Sequence, residues 1–422
     1  MKNLLKKIIP TQVLSIYHFF IAFSSTLFYN QPAKKLKIIG VTGTKGKTST
    51  VEIINSLLEG AGYKTAIAST LRFKIDSDSK PNLLKMTTPG RGFLQKFLKE
   101  ALEKKVTHVI VEMSSEGVKQ FRHSFIDLDA LVVTNLSPEH IEAHGSFEHY
   151  ALAKIKIVRA LIYSKKTPKI LVLNGDDPES KRFEIKNSNP IKINLTETAP
   201  YALLADGLFF TYRGQKIQAK LVGEFNLYNI LASIKIAEFF GLDLKTIKTG
   251  IERLTSIPGR VEKISTTNQE LAKKQNFTVI VDYAHTADSL EKVYRVYKDK
   301  KKICVLGSCG GGRDKWKRPE MGKIADKYCH KIILTDEDPY DENPLEIINM
   351  VKSGINQTPT TITLDRRQAI NQALTEARPT DVVIITGKGT DPYIMRKGGE
   401  QEDWSDAKVA REELEKVLQT KK

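Results

Sequence analysis

The sequence predicts an α/β protein in which two domains, each built on a central parallel sheet, follow one another along the chain. Two observations support this fold class. Short β-branched runs alternate with amphipathic segments through residues 36–176 and again through residues 277–386, and this alternation is typical of parallel strands joined by crossover helices. The chain also has 422 residues, which suits two or three domains better than one hydrophobic core.

The first domain is predicted to span residues 36–256. Two glycine-containing turns, Asp206-Gly207 and Arg213-Gly214, predict hairpin-like antiparallel strands up to about residue 220. The preceding buried strands are predicted at five runs: 37–41, 65–68, 108–112, 130–134 and 169–173.

The second domain is predicted to span residues 257–422 and to be Rossmann-like. It begins at the turn Ile257-Pro258-Gly259-Arg260, whose proline and glycine interrupt regular structure. Its strands are predicted at five further runs: 277–281, 302–306, 331–334, 361–364 and 381–386.

Residues 1–35 are predicted to form an apolar helical segment. The part from Val13 to Tyr29 is largely apolar, with Lys6-Lys7 before it and Lys34-Lys35 after it. At 17 residues with a central His18 it is short for a transmembrane helix, and no signal-peptide cleavage pattern follows it. Two interpretations stay open, a helix packed on the protein body and a peripheral membrane contact through residues 13–29.

The composition favours a cytoplasmic protein without a nucleic-acid partner. The formal net charge is +17, but the lysines are spread along the chain without an arginine-rich arm, so we attribute most of this charge to solvated lysine faces. Three cysteines without a paired metal-ligand spacing indicate neither a disulfide scaffold nor a zinc site. A reducing compartment agrees with this pattern, and we expect a monomer.

The most informative stretch is residues 40–50, Gly-Val-Thr-Gly-Thr-Lys-Gly-Lys-Thr-Ser-Thr, which follows an apolar run. A strand, a glycine-rich loop and a helix in this order predict that backbone N–H groups and the helix N-terminus bind the phosphates of ATP. Lys47 is expected to reach the β and γ phosphates and Thr48 to ligate Mg²⁺. The spacing is unusual, because Val41 stands where the first glycine is expected and Gly43 lies three residues before Gly46. The nucleotide-binding residues predicted in this loop are Gly43, Thr44, Lys45, Gly46, Lys47, Thr48 and Ser49.

Polar side chains at the ends of two predicted strands indicate a metal site. Glu112 ends the strand at 108–112, and a polar run that contains Asn135 and His140 follows the strand at 130–134. Ligand sites in open α/β sheets form at the carboxyl ends of the strands. Glu112 and His140 are therefore predicted to act beside the phosphate loop, with a divalent cation.

The ordered motifs together resemble those of the Mur ligase family, ATP-dependent amide-bond ligases, and within it the UDP-N-acetylmuramoyl-tripeptide synthetase (MurE) type. The resemblance covers nearly the whole chain after residue 36. The motifs that carry it are the loop at 40–50, Asn135 with His140, and the stretches 86–89, 120–122, 221–229, 259–262, 282–290, 312–319 and 387–389.

The resemblance implies a reaction and its catalytic residues. ATP would phosphorylate a carboxylate of UDP-N-acetylmuramoyl-L-Ala-D-Glu, and the amine of an amino acid, L-lysine or meso-diaminopimelate, would then displace phosphate. Two Mg²⁺ ions are implied, with Thr48, Glu112, His140 and a carbamylated lysine at Lys154 as ligands. The implied catalytic residues are Lys47, Glu112, His140 and Lys154.

The resemblance also implies three groups of binding residues. Nucleotide contacts beyond the loop are implied for Asn135, Asn226, Arg260 and Asp282. Acceptor contacts are implied for Thr87, Thr88, Ser114, Gln120 and Arg122. Contacts with the incoming amino acid are implied for Arg318, Glu337, Asp338, Tyr340, Gly387 and Asp391.

Two features depart from the family pattern. Members that add meso-diaminopimelate carry an arginine where this chain has Tyr340, and an acidic pocket without that arginine favours L-lysine. The family also places a small UDP-binding domain ahead of the loop, whereas 39 residues precede Gly40 here.

Several alternatives follow from the second departure. The central domain or a partner holds UDP, or the acceptor is a different carboxylate, such as a lipid-linked one used at the inner membrane face. A non-catalytic nucleotide-binding scaffold is a further alternative, which the intact Lys47, Glu112, His140 and Lys154 disfavour.

Overall fold

The computed structural model describes residues 11–90, 92–139, 141–313 and 315–420. The chain forms two compact units, and the change from the first to the second falls between Leu254 and Thr255. Two short stretches, Ala202–Phe209 and Ala219–Gly223, also belong to the second unit. The change lies shortly before the turn that was predicted to separate the domains.

The first unit begins with a helix and continues with alternating strands and helices. The elements up to Arg253 are α1 (Thr11–Phe28), β1 (Lys37–Thr42), α2 (Lys47–Gly60), β2 (Thr65–Ala68), β3 (Arg72–Ile75), β4 (Asp78–Pro81), α3 (Phe93–Glu103), β5 (His108–Glu112), α4 (Ser115–Lys119), β6 (Ala130–Val133), α5 (Ile141–His144), α6 (Phe147–Ile162), β7 (Ile170–Asn174), β8 (Ile191–Ile193), β9 (Tyr201–Leu204), β10 (Gly207–Tyr212), β11 (Gln215–Ala219), α7 (Glu224–Phe239) and α8 (Leu244–Arg253). Strands β9 to β11 form a three-stranded sheet, and the stretch Ala202–Phe209 within it belongs to the second unit.

The main sheet of this unit has eight strands in the order β4-β3-β2-β5-β1-β6-β7-β8. The six neighbouring strands β2, β5, β1, β6, β7 and β8 pair in parallel. Strands β3 and β4 extend the sheet beyond β2 in antiparallel pairing. The register places Val41 of β1 opposite Glu112 of β5 and Thr42 opposite Val133 of β6. The loop after β1 therefore lies between the ends of β5 and β6.

Apolar side chains fill the space between this sheet and helices α3 and α6. Ile38, Val109 and Leu131 of the central strands belong to one buried cluster with Leu98 of α3 and Ile157 of α6. Helix α2 packs against α7 and α8. Burial on both faces explains why the central strands read as continuous apolar runs in the sequence.

The second unit contains another α/β sheet. Its elements are β12 (Glu262–Ile264), α9 (Gln269–Lys274), β13 (Thr278–Asp282), α10 (Ala287–Val296), β14 (Lys302–Leu306), α11 (Lys317–Tyr328), β15 (Lys331–Leu334), α12 (Pro344–Lys352), β16 (Thr360–Ile362), α13 (Arg366–Glu376), β17 (Val382–Thr386), β18 (Tyr393–Met395), β19 (Gln401–Asp403) and α14 (Asp406–Thr420).

Six strands of this unit pair in the order β12-β13-β17-β14-β15-β16. The five neighbouring strands β13, β17, β14, β15 and β16 pair in parallel. Strand β12 pairs with β13 in antiparallel orientation at the edge of the sheet. Apolar residues of α13 and α14, such as Ile370 and Leu414, share a buried cluster with Val281, Val305 and Ile385 of the central strands. The predicted α/β class with central parallel sheets is confirmed.

The antiparallel edge strands were not predicted. All four residues of β4 are exposed, and the sequence Asp-Ser-Lys-Pro has neither β-branched residues nor an apolar alternation. Edge strands of this kind are held by pairing with a neighbour, so their own composition gives little indication of them.

The second unit contains a disulfide bond between Cys304 and Cys329. Cys304 lies on β14 and Cys329 follows α11, and both residues are buried. The odd cysteine count predicts no disulfide scaffold, and it gives no indication of this single pair. Pairing depends on the adjacent positions of β14 and β15, which a sequence separation of 25 does not reveal.

Helix α1 packs on the first unit through aromatic side chains. The ring of Phe19 lies 5.5 Å from the rings of both Phe121 and Phe125, and Phe23 lies 5.6 Å from Phe125. The large apolar side chains that stay exposed on this helix include Val13, Ile16, Phe20, Leu27 and Phe28. Within the described ranges, no helix combines the length and apolar character needed to cross a membrane.

Candidate active site

The phosphate loop connects the end of β1 at Thr42 with the start of α2 at Lys47. Gly46 precedes the helix with φ of 83°, and no described side chain caps the helix N-terminus. Backbone N–H groups in the first turn of a helix have no acceptor within the helix. The loop therefore presents N–H donors and the positive end of a helix dipole to an anion.

Gly43 explains the unusual glycine spacing. Its φ is 142°, and a Cβ atom there would lie 1.9 Å from the Oγ1 of Thr134. The Thr134 hydroxyl in turn donates to the carbonyl of Lys45 at 2.6 Å. A glycine is required where the segment after β6 crosses the loop, whereas Val41 is a buried residue of β1.

Asn135 holds the phosphate loop in place. Its Oδ1 accepts from the N–H of Lys45 at 2.9 Å, and its Nδ2 donates to the carbonyl of the same residue at 3.1 Å. The N–H of Thr44 donates to the Asn135 carbonyl at 2.9 Å. The sequence predicted a nucleotide contact at Asn135, and the structure gives its side chain a role in shaping the loop.

Glu112 lies at the carboxyl end of β5 and is only 1% exposed. Its Oε2 accepts from the Thr48 hydroxyl at 3.1 Å and from the N–H of Thr70 at 2.9 Å, and its Oε1 accepts from the Thr70 hydroxyl at 3.0 Å. The structure thus brings the predicted pair Thr48 and Glu112 together. Carboxylate and hydroxyl oxygens are the hard donors that suit Mg²⁺.

Lys154 of α6 reaches the same loop from the interior. It is 1% exposed, and its Nζ donates to the carbonyl of Gly43 at 2.7 Å and lies 4.7 Å from the ring centre of Tyr150. The Nζ of Lys47 donates to the same Gly43 oxygen at 3.1 Å. Burial, and then the charge of Lys47, lower the pKa of Lys154 well below its ordinary value.

The other predicted metal ligand, His140, lies outside the described residues. Its sequence neighbour Glu139 pairs with Lys45 at 2.9 Å, and His144 contacts the Ser115 hydroxyl at 3.1 Å. The described residues contain no cluster of three or more His, Cys, Asp or Glu side chains that could hold a metal. The metal-binding assignment therefore depends on the pair Thr48 and Glu112 together with Lys154.

The five predicted acceptor residues form one chain of contacts beside Glu112. The Thr88 hydroxyl donates to the Glu112 carbonyl at 3.0 Å and lies 3.3 Å from the Ser114 hydroxyl. Arg122 donates to the carbonyl of Thr88 and, at 2.5 Å, to Oε1 of Gln120.

Thr87 joins this group through Thr70. The two hydroxyls lie 2.8 Å apart, and Thr70 also donates to Glu112. The structure therefore brings together the predicted acceptor residues and the predicted metal pair within the first unit.

Asn226 lies in the first turn of α7 and contacts the loop region through Asn229. The Nδ2 of Asn229 donates to Oδ1 of Asn226 at 3.0 Å, and the Thr50 hydroxyl lies 3.3 Å from Oδ1 of Asn229. Asn226 is thereby placed near the helix that follows the phosphate loop.

Arg260 and Asp282 adjoin one another in the second unit. The carboxylate of Asp282 accepts from the N–H of Val261 at 2.7 Å and from that of Ala284 at 2.6 Å. The Arg260 guanidinium lies 4.6 Å from the ring centre of Tyr283. The Asp282 side chain thus fixes the backbone that carries Arg260.

The predicted amino-acid residues of the second unit are largely occupied by internal pairing. Arg318 is 0% exposed, and it donates to Oε2 of Glu342 at 3.0 Å and to the carbonyl of Cys309 at 3.1 Å. Tyr340 has φ of 52°, and its ring centre lies 5.9 Å from the Arg313 guanidinium. Arg318, which was expected to contact the incoming amino acid, is therefore already paired with Glu342.

Lys388 changes the character of the pocket that was expected to be acidic. Its buried Nζ lies 2.8 Å from Oδ1 of Asp338 and 3.4 Å from Oδ2 of Asp391. The neighbouring Glu337 is buried, next to Gly387, and its Oε2 accepts no hydrogen bond from the part of the chain that the structure describes. Burial, and then the charge of Asp338, raise the pKa of Glu337 to about 7.

Four contributors to these sites were missed as site residues. No sequence pattern indicated Thr70 as a site residue, because a threonine after a short strand is common. Tyr150, whose hydroxyl donates to Thr44 at 3.1 Å, and Glu139 lie within stretches that were noted for other residues. Lys388 stands inside a recognised glycine motif, and its buried pairing could only be found from the fold.

A parallel sheet with a phosphate loop, an adjacent carboxylate and a buried lysine defines an ATP-dependent enzyme of the P-loop type. The Mur ligase middle domain model matches residues 41–237, and the model described as Mur ligase, glutamate ligase domain, matches residues 259–389. Together they cover more than half of the chain. The chain belongs to the Mur ligase family and is an ATP-dependent ligase that adds an amino acid in peptidoglycan precursor synthesis.

Individual relatives agree with this assignment. UDP-N-acetylmuramoyl-L-alanyl-D-glutamate–2,6-diaminopimelate ligase of Geobacillus kaustophilus is 34% identical over 419 residues, which cover 96% of this chain and 84% of the relative. The enzyme of the same name from Bacillus velezensis is 37% identical over 405 residues, with 92% and 80% covered.

Solved structures show the same architecture. A structure of a ligase with this name is 28% identical with a TM-score of 0.60, and the match covers 91% of this chain and 78% of that chain. Mycobacterium tuberculosis folylpolyglutamate synthase complexed with ADP has a TM-score of 0.67 at 15% identity, with 92% and 95% covered, which shows likeness of fold alone.

Proposed function

We propose that the chain joins a diamino acid to UDP-N-acetylmuramoyl-L-alanyl-D-glutamate. The observation that carries this proposal is the match, over more than nine tenths of this chain, to ligases whose names state that acceptor and 2,6-diaminopimelate. The contact chain from Glu112 through Thr88 to Arg122 supports it, because it offers an extended acceptor polar partners that begin at the phosphate loop.

The proposed reaction has two steps. A carboxylate oxygen of the acceptor attacks the γ-phosphorus of ATP, the bond to the bridging oxygen breaks, and ADP leaves with an acyl phosphate formed. The neutral amine of the amino acid then attacks the acyl carbon, phosphate leaves with the former carboxylate oxygen, and the amine loses a proton. Lys47 holds charge on the transferring group, and the loop N–H groups hold the remaining phosphates.

Thr48 and Glu112 are the residues that would hold Mg²⁺, with His140 as a further proposed ligand. A bound divalent cation supplies charge neutralisation for phosphoryl transfer. Glu112 is fixed for this role because the Thr70 backbone and hydroxyl both donate to it.

We propose that Lys154 carries a carbamate in the active enzyme. Two amino groups, those of Lys47 and Lys154, converge on the single carbonyl oxygen of Gly43. Two ammonium ions so placed repel each other. The lowered pKa of Lys154 favours its neutral amine, whose nitrogen lone pair attacks CO₂ while an N–H proton leaves to solvent. The resulting carbamate anion would attract Lys47 and provide oxygen ligands for a cation.

The carbamate is tested with ¹³C-labelled bicarbonate. A carbamate carbon signal should appear in the NMR spectrum of the intact chain and be absent from Lys154→Ala. Activity of that variant should be restored in part by a small carboxylate such as acetate. An unchanged chain that turns over at the same rate without bicarbonate, and that shows no labelled signal, would contradict the assignment.

The incoming amino acid has two candidates. The names of the relatives favour meso-diaminopimelate, whereas Tyr340, at the position of the expected arginine, favours L-lysine. Mass spectrometry of the product formed from each amino acid with ATP and Mg²⁺ decides between them. Absence of an amide product with both would reject the proposed acceptor, provided that the chain still binds ATP.

We further propose that the exposed side of α1 makes a peripheral membrane contact. Val13, Ile16, Phe20 and Leu27 expose apolar surface along one helix, and such surface partitions into the headgroup boundary of a bilayer. Co-sedimentation with anionic vesicles should fall when Ile16 and Phe20 are changed to serine. Equal sedimentation of this variant and the unchanged chain would reject the contact.

A further inference from the structure

A turn of residues 82–86, which we call the leucine turn, follows the edge strand β4 and exposes large apolar side chains. Leu83 is 51% exposed, Leu84 is 48% exposed and Met86 is 41% exposed. One exposed apolar residue is ordinary on a protein surface, whereas several neighbouring ones often mark an interaction site. The leucine turn is therefore a candidate contact surface.

The buried Asn82 holds the leucine turn in a fixed shape. Its Nδ2 donates to the carbonyl of Ser69 at 2.8 Å and to that of Met86 at 3.0 Å. Its Oδ1 accepts from the N–H of Leu84 at 3.0 Å. Lys85 has φ of 49°, a left-handed conformation that residues other than glycine seldom adopt. The turn is thus built around one buried side chain, and it presents its leucines in a defined arrangement.

The leucine turn lies beside α1. Leu84 and Met86 share the lining of one cavity, of about 550 Å³, with Tyr17 of α1. Tyr17 is itself 51% exposed, and it lies one helical turn from the exposed Val13 on one side and the exposed Phe20 on the other. Two apolar elements that are distant in the sequence therefore form one exposed surface of the first unit.

The sequence on both sides of α1 is basic. Residues 1–37 include six lysines and neither aspartate nor glutamate. Two of these lysines, Lys34 and Lys35, are exposed in the short 3₁₀ helix Pro32–Lys35 that follows α1. Lysines beside an apolar surface are attracted to the headgroups of anionic lipids, which repel acidic residues. The charge of this region therefore complements an anionic bilayer.

We propose that the leucine turn enters an anionic bilayer together with α1, so that Leu83 and Leu84 form a second anchor beside the helix. The inference rests on the peripheral contact proposed above for α1. A single helix leaves the first unit free to rotate about the helix axis, whereas two separated anchors fix the side of the unit that faces the membrane. Thr87 and Thr88 directly follow the turn, so this orientation holds part of the proposed acceptor group near the membrane surface.

The test measures co-sedimentation of the full chain with phosphatidylcholine vesicles that contain phosphatidylglycerol. The double variant Leu83→Ser with Leu84→Ser should lower the partition coefficient by about tenfold or more, because two apolar side chains no longer enter the bilayer. The matched control is Leu203→Ser with Leu204→Ser, an adjacent pair on β9 with exposures of 44% and 45%, and it should bind as the unchanged chain does. Removal of the anionic lipid, or added salt, should weaken binding of the unchanged chain.

A tryptophan variant reports insertion directly and carries the experiment if the leucine-turn double variant fails to fold. The fluorescence of Leu83→Trp should shift to shorter wavelength on anionic vesicles and be quenched by brominated acyl chains, beyond the response of Trp316 and Trp404 in the unchanged chain. Leu204→Trp is the control and should show no such added response. Equal sedimentation of the two double variants, or unquenched Leu83→Trp fluorescence in vesicle-bound protein, would overturn the inference.

A direct contact with the acceptor is the first alternative role for the exposed leucines. Leu84 and Met86 line the cavity beside α1, whereas Leu83 lies outside the lining formed by the described residues. A role in acceptor binding would raise the KM for water-soluble UDP-N-acetylmuramoyl-L-Ala-D-Glu without vesicles. We expect this KM to be unchanged in Leu83→Ser, and a raised KM together with unchanged vesicle binding would overturn the inference.

A contact between two copies of the chain is the second alternative. Sedimentation velocity without vesicles should give the same mass for the unchanged chain and the leucine-turn double variant, and a dimer that this variant converts into a monomer would overturn the inference. Vesicle binding that depends on Ile16 and Phe20 but not on the leucine turn would leave α1 as the sole anchor and also overturn it. A chain that binds vesicles as expected but forms no amide product would reject the proposed reaction and leave the membrane surface standing.

Discussion

Lys47 of the first unit donates to the Gly43 and Thr44 carbonyls of the phosphate loop, whereas Arg318 and Lys388 of the second unit are held by carboxylates. A carbonyl oxygen has no formal charge, so these hydrogen bonds do not neutralise the Lys47 ammonium. A cation paired with a carboxylate is already compensated, and a substrate carboxylate has to displace or share its partner. In the second unit, a substrate carboxylate therefore competes with a carboxylate of the chain, whereas at Lys47 the described partners are carbonyl oxygens.

The difference appears also in their carboxylates. Glu112 is surrounded by hydroxyl and N–H donors that suit a site for a cation. Glu337 is buried with an unpaired oxygen, and its pKa is raised to about 7. Changes in the first region should affect chemistry with little loss of stability, and changes in the second should affect stability and pH dependence.

The largest effect is expected from Lys47→Met. Loss of the charge that holds the transferring phosphoryl group should lower kcat/KM by about 10³-fold, comparable to the loss of a strong oxyanion donor. The free energy of unfolding should change by less than about 1 kcal/mol, because the Lys47 amine bonds to neighbouring loop carbonyls.

Lys64→Met is the control for this change, since Lys64 forms an exposed ion pair with Asp76 at 3.0 Å. It should leave activity and stability unchanged. If kcat/KM of Lys47→Met stayed within a few-fold of the value for the unchanged chain, the Lys47 charge would not stabilise the transferring phosphoryl group.

Arg318→Met should act mainly on stability. The change leaves Glu342 without its buried partner, and we expect a loss of about 2–3 kcal/mol, at the low end for buried pairs because Glu342 is partly exposed. Urea denaturation measures it. Adding Glu342→Gln should recover part of the loss, and a single variant as stable as the unchanged chain would show that the pair does not contribute.

Asn135→Ala should have an intermediate effect on nucleotide binding. The change removes two hydrogen bonds to the backbone of Lys45, each worth about 1 kcal/mol, so the Kd for ATP should rise about tenfold or more. Isothermal titration measures the affinity. An unchanged Kd would show that the loop keeps its shape without this side chain.

Glu337→Gln should give the smallest change, visible as a difference in pH dependence. The pKa of Glu337 is raised from 4.5 to about 7, so between these pH values the folded chain keeps a proton that the unfolded chain has lost. Stability of the unchanged chain therefore falls as pH rises through this range. The melting temperature of Glu337→Gln relative to the unchanged chain should rise by a few degrees between pH 5 and pH 7, and a constant difference would contradict the account.

The fold and the phosphate loop could be predicted because their signals are local. Apolar runs mark the buried strands, and Gly43 to Thr48 carry their chemistry in a single stretch. Residues whose role depends on distant partners were harder to assign. The hydrogen bonds of Asn135 to the loop backbone depend on the segment after β6. Lys388 was not recognised as the cation among the acidic residues, and the Cys304 pairing needed the sheet order.

An acyl phosphate intermediate requires that an oxygen atom pass from the acceptor carboxylate to the released phosphate. The acceptor is prepared with ¹⁸O in the reacting carboxylate and turned over with ATP, Mg²⁺ and the accepted diamino acid. We predict that each phosphate released carries one ¹⁸O atom from the carboxylate, and that Lys47→Met releases almost none. Amide product accompanied by unlabelled phosphate would contradict the acyl phosphate and the role given to the phosphate loop.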